Sequence, residues 1–138
     1  MVTLSNDELK CISLFEQMTG ASPEDCVISP ERVTFIVKEN EMGRAIGKQG
    51  STIKRVREAF GKQVDVFEAA DSLEGFVRKL YSGIELRELK VSELEGVKSV
   101  QIAVGSKDRG AAIGRNGDRI KLARMLLERK YGAKLKLV

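Results

Sequence analysis

A chain of 138 residues, 42% hydrophobic and 32% charged, is long enough for one ordinary domain or for two small ones near the lower size limit for an independent core. It has no apolar run of about 18 residues and no signal-peptide pattern, which excludes a spanning helix and sets the expectation of a cytoplasmic protein. Histidine is absent and cysteine is confined to Cys11 and Cys26, so the usual zinc ligands and any Ser/His or Cys/His catalytic pair are missing, and the net charge is only +4.

Ser5-Asn6-Asp7-Glu8 is a helix-start signal, and Leu9, Ile12, Phe15 and Met18 follow at helical spacing, predicting a helix over 5–19 that stops at Gly20. After a loop over 21–25, Cys26 to Ser29 and Arg32 to Val37 are β-branched runs joined by a short Pro-containing connection, which predicts two antiparallel strands. Asn40 to Ile46 reads as a short helix ending at Gly47. Ser51 is expected to cap a second helix, which places Ile53, Val56 and Phe60 on one face and ends at Gly61. Gln63 to Phe67 alternates polar and apolar residues, the pattern of a half-buried strand.

The same order then restarts. Asp71-Ser72 caps a helix through Tyr81, closed at Gly83. Ile84 to Val91 and Val97 to Val104 are extended, Lys107 to Ile113 and Asp118 to Lys130 are helical, and Lys134 to Leu137 is a final strand. Ile46-Gly47-Lys48-Gln49-Gly50-Ser51-Thr52-Ile53 recurs as Ile113-Gly114-Arg115-Asn116-Gly117-Asp118-Arg119-Ile120, 67 residues later. Phe60-Gly61 pairs with Tyr131-Gly132 at an offset of 71, an insertion of about one helical turn that keeps the buried face in register. The expected fold is α+β, with one unit over 1–70 and a second over 71–138, each a three-stranded sheet packed on three helices.

Charge follows the repeats. Gly43 to Lys62 holds six basic residues and one acidic, a net +5, and Lys107 to Lys136 holds ten basic and three acidic, a net +7. Because the whole chain is only +4, the remaining residues carry −8. A glycine loop leaves main-chain N–H groups open to a phosphate, and Lys48 or Arg115 adds opposite charge. The surplus around the second loop makes it the stronger electrostatic site on charge count alone.

Two nucleotide-cofactor loops are excluded by spacing. A nucleotide-hydrolase P-loop needs four residues between its glycines and Ser or Thr directly after the lysine, whereas Gly43 and Gly47 enclose three residues and Gln49 follows Lys48. A dinucleotide fingerprint needs glycines two and then three apart after a strand, which neither copy provides.

The pattern IGxxGxxI, present as IGKQGSTI and IGRNGDRI, resembles the KH RNA-binding family, and a helix with two strands ahead of it resembles the prokaryotic type II arrangement. Two such units in immediate succession, with Val33-Thr34-Phe35-Ile36-Val37 leading into the first loop, resemble the tandem KH region of NusA-like transcription factors in their short archaeal form. Bacterial members also carry a polymerase-binding N-terminal domain and an S1 domain. Neither has a counterpart in this sequence, so the resemblance does not by itself imply pausing, antitermination or direct polymerase contact.

The resemblance implies that Gly47, Lys48, Gln49 and Gly50, and likewise Gly114, Arg115, Asn116 and Gly117, contact RNA phosphates, while an apolar groove takes the bases. Ile46, Ile53 and Ile36 are the groove candidates of the first unit, and Ile113, Ile120 and Ile102 those of the second. A core role would explain the same residues. Arg44, Lys54, Arg55, Arg109, Arg119 and Lys121 are candidates for further RNA contact or are plain solvated charges. The implied partner is single-stranded RNA, with RNA polymerase or other transcription factors as further candidates, and a monomer without a cofactor is expected. Glu39 with Glu41 and Glu93 with Glu95 are paired carboxylates lacking a histidine or a ligand cluster, so no enzyme is expected. A ribosome-associated or ribosome-assembly KH protein, or a KH-fold protein-interaction adaptor, is the alternative. Cys11 and Cys26 are read as buried small residues or as a disulfide.

Overall fold

The computed structural model describes residues 4–138, which form two compact units, one ending at Ala70 and the other spanning Asp71–Val138. In the first, helix α1 (Asn6–Thr19) starts with a reciprocal cap: the Ser5 hydroxyl accepts the Glu8 N–H at 3.2 Å and the Glu8 carboxylate accepts the Ser5 N–H at 3.0 Å. Gly20, left-handed at φ 77°, ends the helix by donating its N–H to the Glu16 carbonyl. Ile12 and Phe15 are buried on the inner face, whereas Leu9 is exposed despite its helical spacing.

Strand β1 (Pro23–Ile28) begins three residues before the Cys26 start predicted from residue type, and Pro23 to Asp25 of the expected loop are part of it. Ladder pairing accounts for the difference, since Pro23 pairs with Val37 and Asp25 with Ile36 in the antiparallel strand β2 (Arg32–Val37). On its other side β2 pairs in parallel with β3 (Gln63–Glu68), giving the order β1-β2-β3. Two helices separate β2 from β3, α2 (Met42–Ile46) and α3 (Ser51–Phe60). Asn40 is left-handed at φ 71° and lies outside α2, whose N-cap is Glu41. Ser51 is not the cap of α3 but its first residue, with φ −64° and ψ −38°, because left-handed Gly50 turns the chain into the helix.

An aromatic stack ties two helices of this unit to its sheet. The ring of Phe15 on α1 lies 4.1 Å from that of Phe35 on β2, which is 5.8 Å from Phe60 on α3. Val33, Val37, Val56 and Val64 belong to the same buried cluster, each worth about 1.5–3 kcal/mol relative to exposure. Cys11 and Cys26 are free thiols in mutual contact: Cys26 is buried and hydrogen-bonds to Cys11, and burial pushes the Cys11 thiol up.

The second unit has the same order: α4 (Leu73–Leu80), β4 (Leu86–Leu94), β5 (Val97–Val104), α5 (Arg109–Ile113), α6 (Asp118–Tyr131) and β6 (Lys134–Leu137). Ser72 caps α4 by accepting the Gly75 N–H at 3.0 Å. The sheet order is β4-β5-β6, again one antiparallel and one parallel pair. Even the irregularity repeats, since a bulge between Pro23 and Asp25 has its counterpart between Leu86 and Glu88. Helix α6 has 14 residues against the 10 of α3, which is the extra turn implied by the changed offset.

The main divergence is the β4–β5 hairpin. β4 runs to Leu94, past the Val91 end predicted from the sequence, because Ser92, Glu93 and Leu94 pair with Ser99, Lys98 and Val97 around a turn at Glu95 and Gly96, both at positive φ. The architecture is therefore mixed α+β with two three-stranded sheets. No described helix is long and apolar enough to cross a membrane.

Candidate nucleic-acid interface

Each glycine loop joins a five-residue helix to a longer one. The N–H of Gly47 closes α2 on the Gly43 carbonyl at 2.8 Å, and Gly114 closes α5 on Gly110 at 2.9 Å. Gly50 then donates to Gly47, and Gly117 to Gly114, both at 3.1 Å. This turn bonding uses the first and last N–H groups of the loop and leaves those of Lys48 and Gln49, and of Arg115 and Asn116, outside it. All four of these residues are exposed.

The backbone angles of the two loops nearly coincide. Gly47 lies at φ 76°, ψ 172° and Gly114 at φ 81°, ψ 172°, while Gln49 and Asn116 are left-handed at φ 54° and 56°. The two glycines of each loop serve different needs. A Cβ on Gly47 would sit 2.6 Å from Thr52 Cβ, and one on Gly114 2.6 Å from Arg119 Cβ, so the first glycine is required by close packing on the following helix. A Cβ on Gly50 would meet nothing nearer than Ile53 Cγ2 at 3.9 Å, and on Gly117 nothing nearer than Lys121 Cε at 3.6 Å. Above the second glycine there is room, and exposed main chain beside a basic side chain is a surface suited to an anion.

The side chains named from the sequence fall into three groups. Lys48, Gln49, Lys54 and Arg55 of the first unit and Arg115, Asn116 and Lys121 of the second are exposed on or just after the loops. Arg44 is exposed too and approaches Glu41 at 3.4 Å. Ile46 and Ile113 are half-buried at the ends of α2 and α5 and present some apolar surface next to the glycines. Ile36, Ile53, Ile102 and Ile120 are instead core residues, at 2%, 5%, 0% and 7% exposure, with little surface left to offer a base.

Two arginines of the second unit are turned back onto the protein. Arg109 donates to the Val138 backbone oxygen at 2.8 Å. Arg119 donates to the carbonyls of Leu80 at 3.2 Å and of Ser82 and Ala111 at 3.4 Å, with its guanidinium 5.2 Å from the centre of the Tyr81 ring. Tyr81 is buried and its hydroxyl has no hydrogen-bond partner among the described residues. Burial pushes its pKa up to about 12, against the smaller opposing pull of Arg119 and Arg124.

Sequence reasoning missed a second repeated arginine. Arg57 on α3 donates through Nε and Nη2 to the Val64 carbonyl at 3.2 Å, and Arg124 on α6 donates through Nε to the Leu135 carbonyl, also at 3.2 Å. Each fastens the post-loop helix to the strand after it. The signal was present, since Arg57 and Arg124 are 67 residues apart, like the loops. Among the described residues no group of three or more His, Cys, Asp or Glu could hold a metal ion.

A GxxG loop between two helices, beside a sheet with one antiparallel and one parallel pair, defines the KH class of folds. The family model for the KH domain matches residues 11–95, which take in the first loop and end in the β4–β5 turn, and the chain belongs to that family. Within it, the chain is 41% identical over 131 residues to the Probable transcription termination protein NusA of Halococcus morrhuae, with 94% of this chain and 93% of that one covered. It is 35% identical over 133 residues to the protein of the same name from Methanococcus vannielii, covering 96% of this chain and 77% of the relative. The crystal structure of APE1850 is 39% identical, with a TM-score of 0.83 over 98% of this chain and 100% of that one. These likenesses make it a NusA-like KH protein.

Proposed function

We propose that this protein is a non-catalytic binder of single-stranded RNA acting in transcription elongation or termination, and that both units, 1–70 and 71–138, are KH modules. Each GxxG loop clamps the sugar-phosphate backbone. The observation that carries this reading is the near-identical backbone of the two loops, with the first glycine pressed onto the next helix and the two residues after it exposed. Lys48 with Gln49, and Arg115 with Asn116, supply charge and hydrogen-bonding groups that hold the strand without reading its sequence. Ile46 and Ile113 supply the apolar edge against which a base can lie. The names of the archaeal relatives support a place in transcription rather than on the ribosome.

Replacing Lys48-Gln49 and Arg115-Asn116 together by Asp-Asp pairs tests the reading. Affinity for a single-stranded RNA should fall at least about a hundredfold, because four contact residues in two loops become repulsive or are lost. The unfolding temperature should be unchanged, since all four side chains are exposed. Unaltered RNA affinity in the folded variant would rule the reading out. For the unmodified protein, log affinity against log salt should slope by about 0.7 for each phosphate neutralised.

A further inference from the structure

The two loops share a backbone but not their surroundings. Position by position at the 67-residue offset, residues 44–55 carry four basic side chains and no acidic one, whereas 111–122 carry three basic and one acidic. The acidic residue is Asp118, directly after Gly117, where the first loop has Ser51. Its backbone N–H donates to the Arg115 carbonyl, so it is part of the loop's own turn, and it puts a carboxylate in the first turn of α6, where α3 has no acidic residue. A carboxylate there already complements the positive helix end and repels an incoming phosphate.

The basic side chains differ as well. The side chains of Lys48, Lys54 and Arg55 make no hydrogen bond or ion pair among the described residues, and only that of Arg44 leans on an acid, Glu41. In the second unit Arg119 is committed to three carbonyls and the Tyr81 ring, and Arg109 to the Val138 oxygen. Lys121 bonds the Asn116 carbonyl at 3.4 Å, and the position matching Arg55 is Leu122. The larger charge of the stretch Lys107 to Lys136 is thus spent mostly away from the loop or on internal partners.

We infer that the loops are unequal clamps on the RNA backbone, the first being the primary site and the second being held weaker by Asp118. This rests on the RNA-binding reading above and reverses the order that charge count alone suggests. Asp118 acts as a selectivity residue: it confines tight phosphate binding to Gly47–Gly50 and leaves Gly114–Gly117 to engage at higher RNA concentration.

Amide NMR of the whole chain reads each loop separately. With a single-stranded RNA of about four nucleotides, the length one KH loop clamps, the Gly47–Gly50 amides should saturate at about tenfold lower RNA than those of Gly114–Gly117. Asp118→Ser should tighten the second loop about threefold to fivefold, the size of one charge at a helix end. Asp118→Asn should do the same, which separates charge from helix-start chemistry, and Ser51→Asp should weaken the first loop by a similar factor. Equal saturation, or tighter binding at the second loop, would overturn the inference and leave RNA binding standing. Unequal loops that ignore both Asp118 variants would overturn the role of Asp118. If the amides of neither loop respond, the RNA-binding reading itself fails.

Discussion

The two units use the same element order, the same bulge position and nearly the same loop angles, yet they stabilise and charge those loops differently. In the first, a stack of Phe15, Phe35 and Phe60 joins helix, strand and helix. In the second, Phe76 and Tyr131 form a looser pair at 6.1 Å, and Arg119 ties α6 to carbonyls of α4, α5 and the segment after α4. The backbone of a GxxG loop therefore does not depend on which residue of the following helix packs against it: Thr52 and Arg119 both meet the first glycine, and what is common is the absence of a Cβ. Loop shape and loop charge are set by different residues and can be changed separately.

The largest expected effect is in shape. Gly47→Ala and Gly114→Ala each force a Cβ against the following helix at a positive φ, and each should cost about 2–4 kcal/mol in denaturant unfolding and abolish RNA contact at its own loop. A tolerated alanine at one glycine and not at the other would break the equivalence of the loops. Next come the arginine fasteners. Arg57→Met and Arg124→Met should each cost about 1–2 kcal/mol, and more for Arg57, which donates twice where Arg124 donates once.

Alkaline titration separates the units in another way, because both tyrosines, Tyr81 and Tyr131, belong to the second. The Tyr81 phenol is neutral in the folded protein up to about 12, above its ordinary value of 10, because burial disfavours the phenolate. Its stabilising contribution is complete below pH 10 and is lost as pH rises through 12, where the unfolded chain ionises first. Ultraviolet absorbance of the phenolate should show this late titration, and Tyr81→Phe should flatten the alkaline loss of stability. The smallest effect is expected at Gly43 and Gly110, where a Cβ would meet nothing within 4 Å. Gly43→Ala and Gly110→Ala should change stability by less than about 1 kcal/mol, in the favourable direction given the helix propensity of alanine.

Features governed by neighbours a few residues away were legible in the sequence. The Ser5 cap, the Gly20, Gly61 and Gly132 stops, the two loops and the extra turn of α6 all follow from local backbone preference and from the 3.6-residue period, which act within one or two turns of chain. Other features were not, because their cause lies across the sheet or on another element. Pro23 joins β1, and β4 extends to Leu94, only because strand partners exist for them. Leu9 has the spacing of a core residue but is exposed, and Ile53 and Ile120, for which the sequence left a core and a groove role open, are buried.

Charge shows the same division. How many basic residues follow each loop, and that Asp118 stands where Ser51 does, can be read directly from the order of residues. Which of those charges are available depends on the folded packing, since a guanidinium that donates to three carbonyls, as Arg119 does, has a partner 39 residues away in Leu80 that no local pattern reveals.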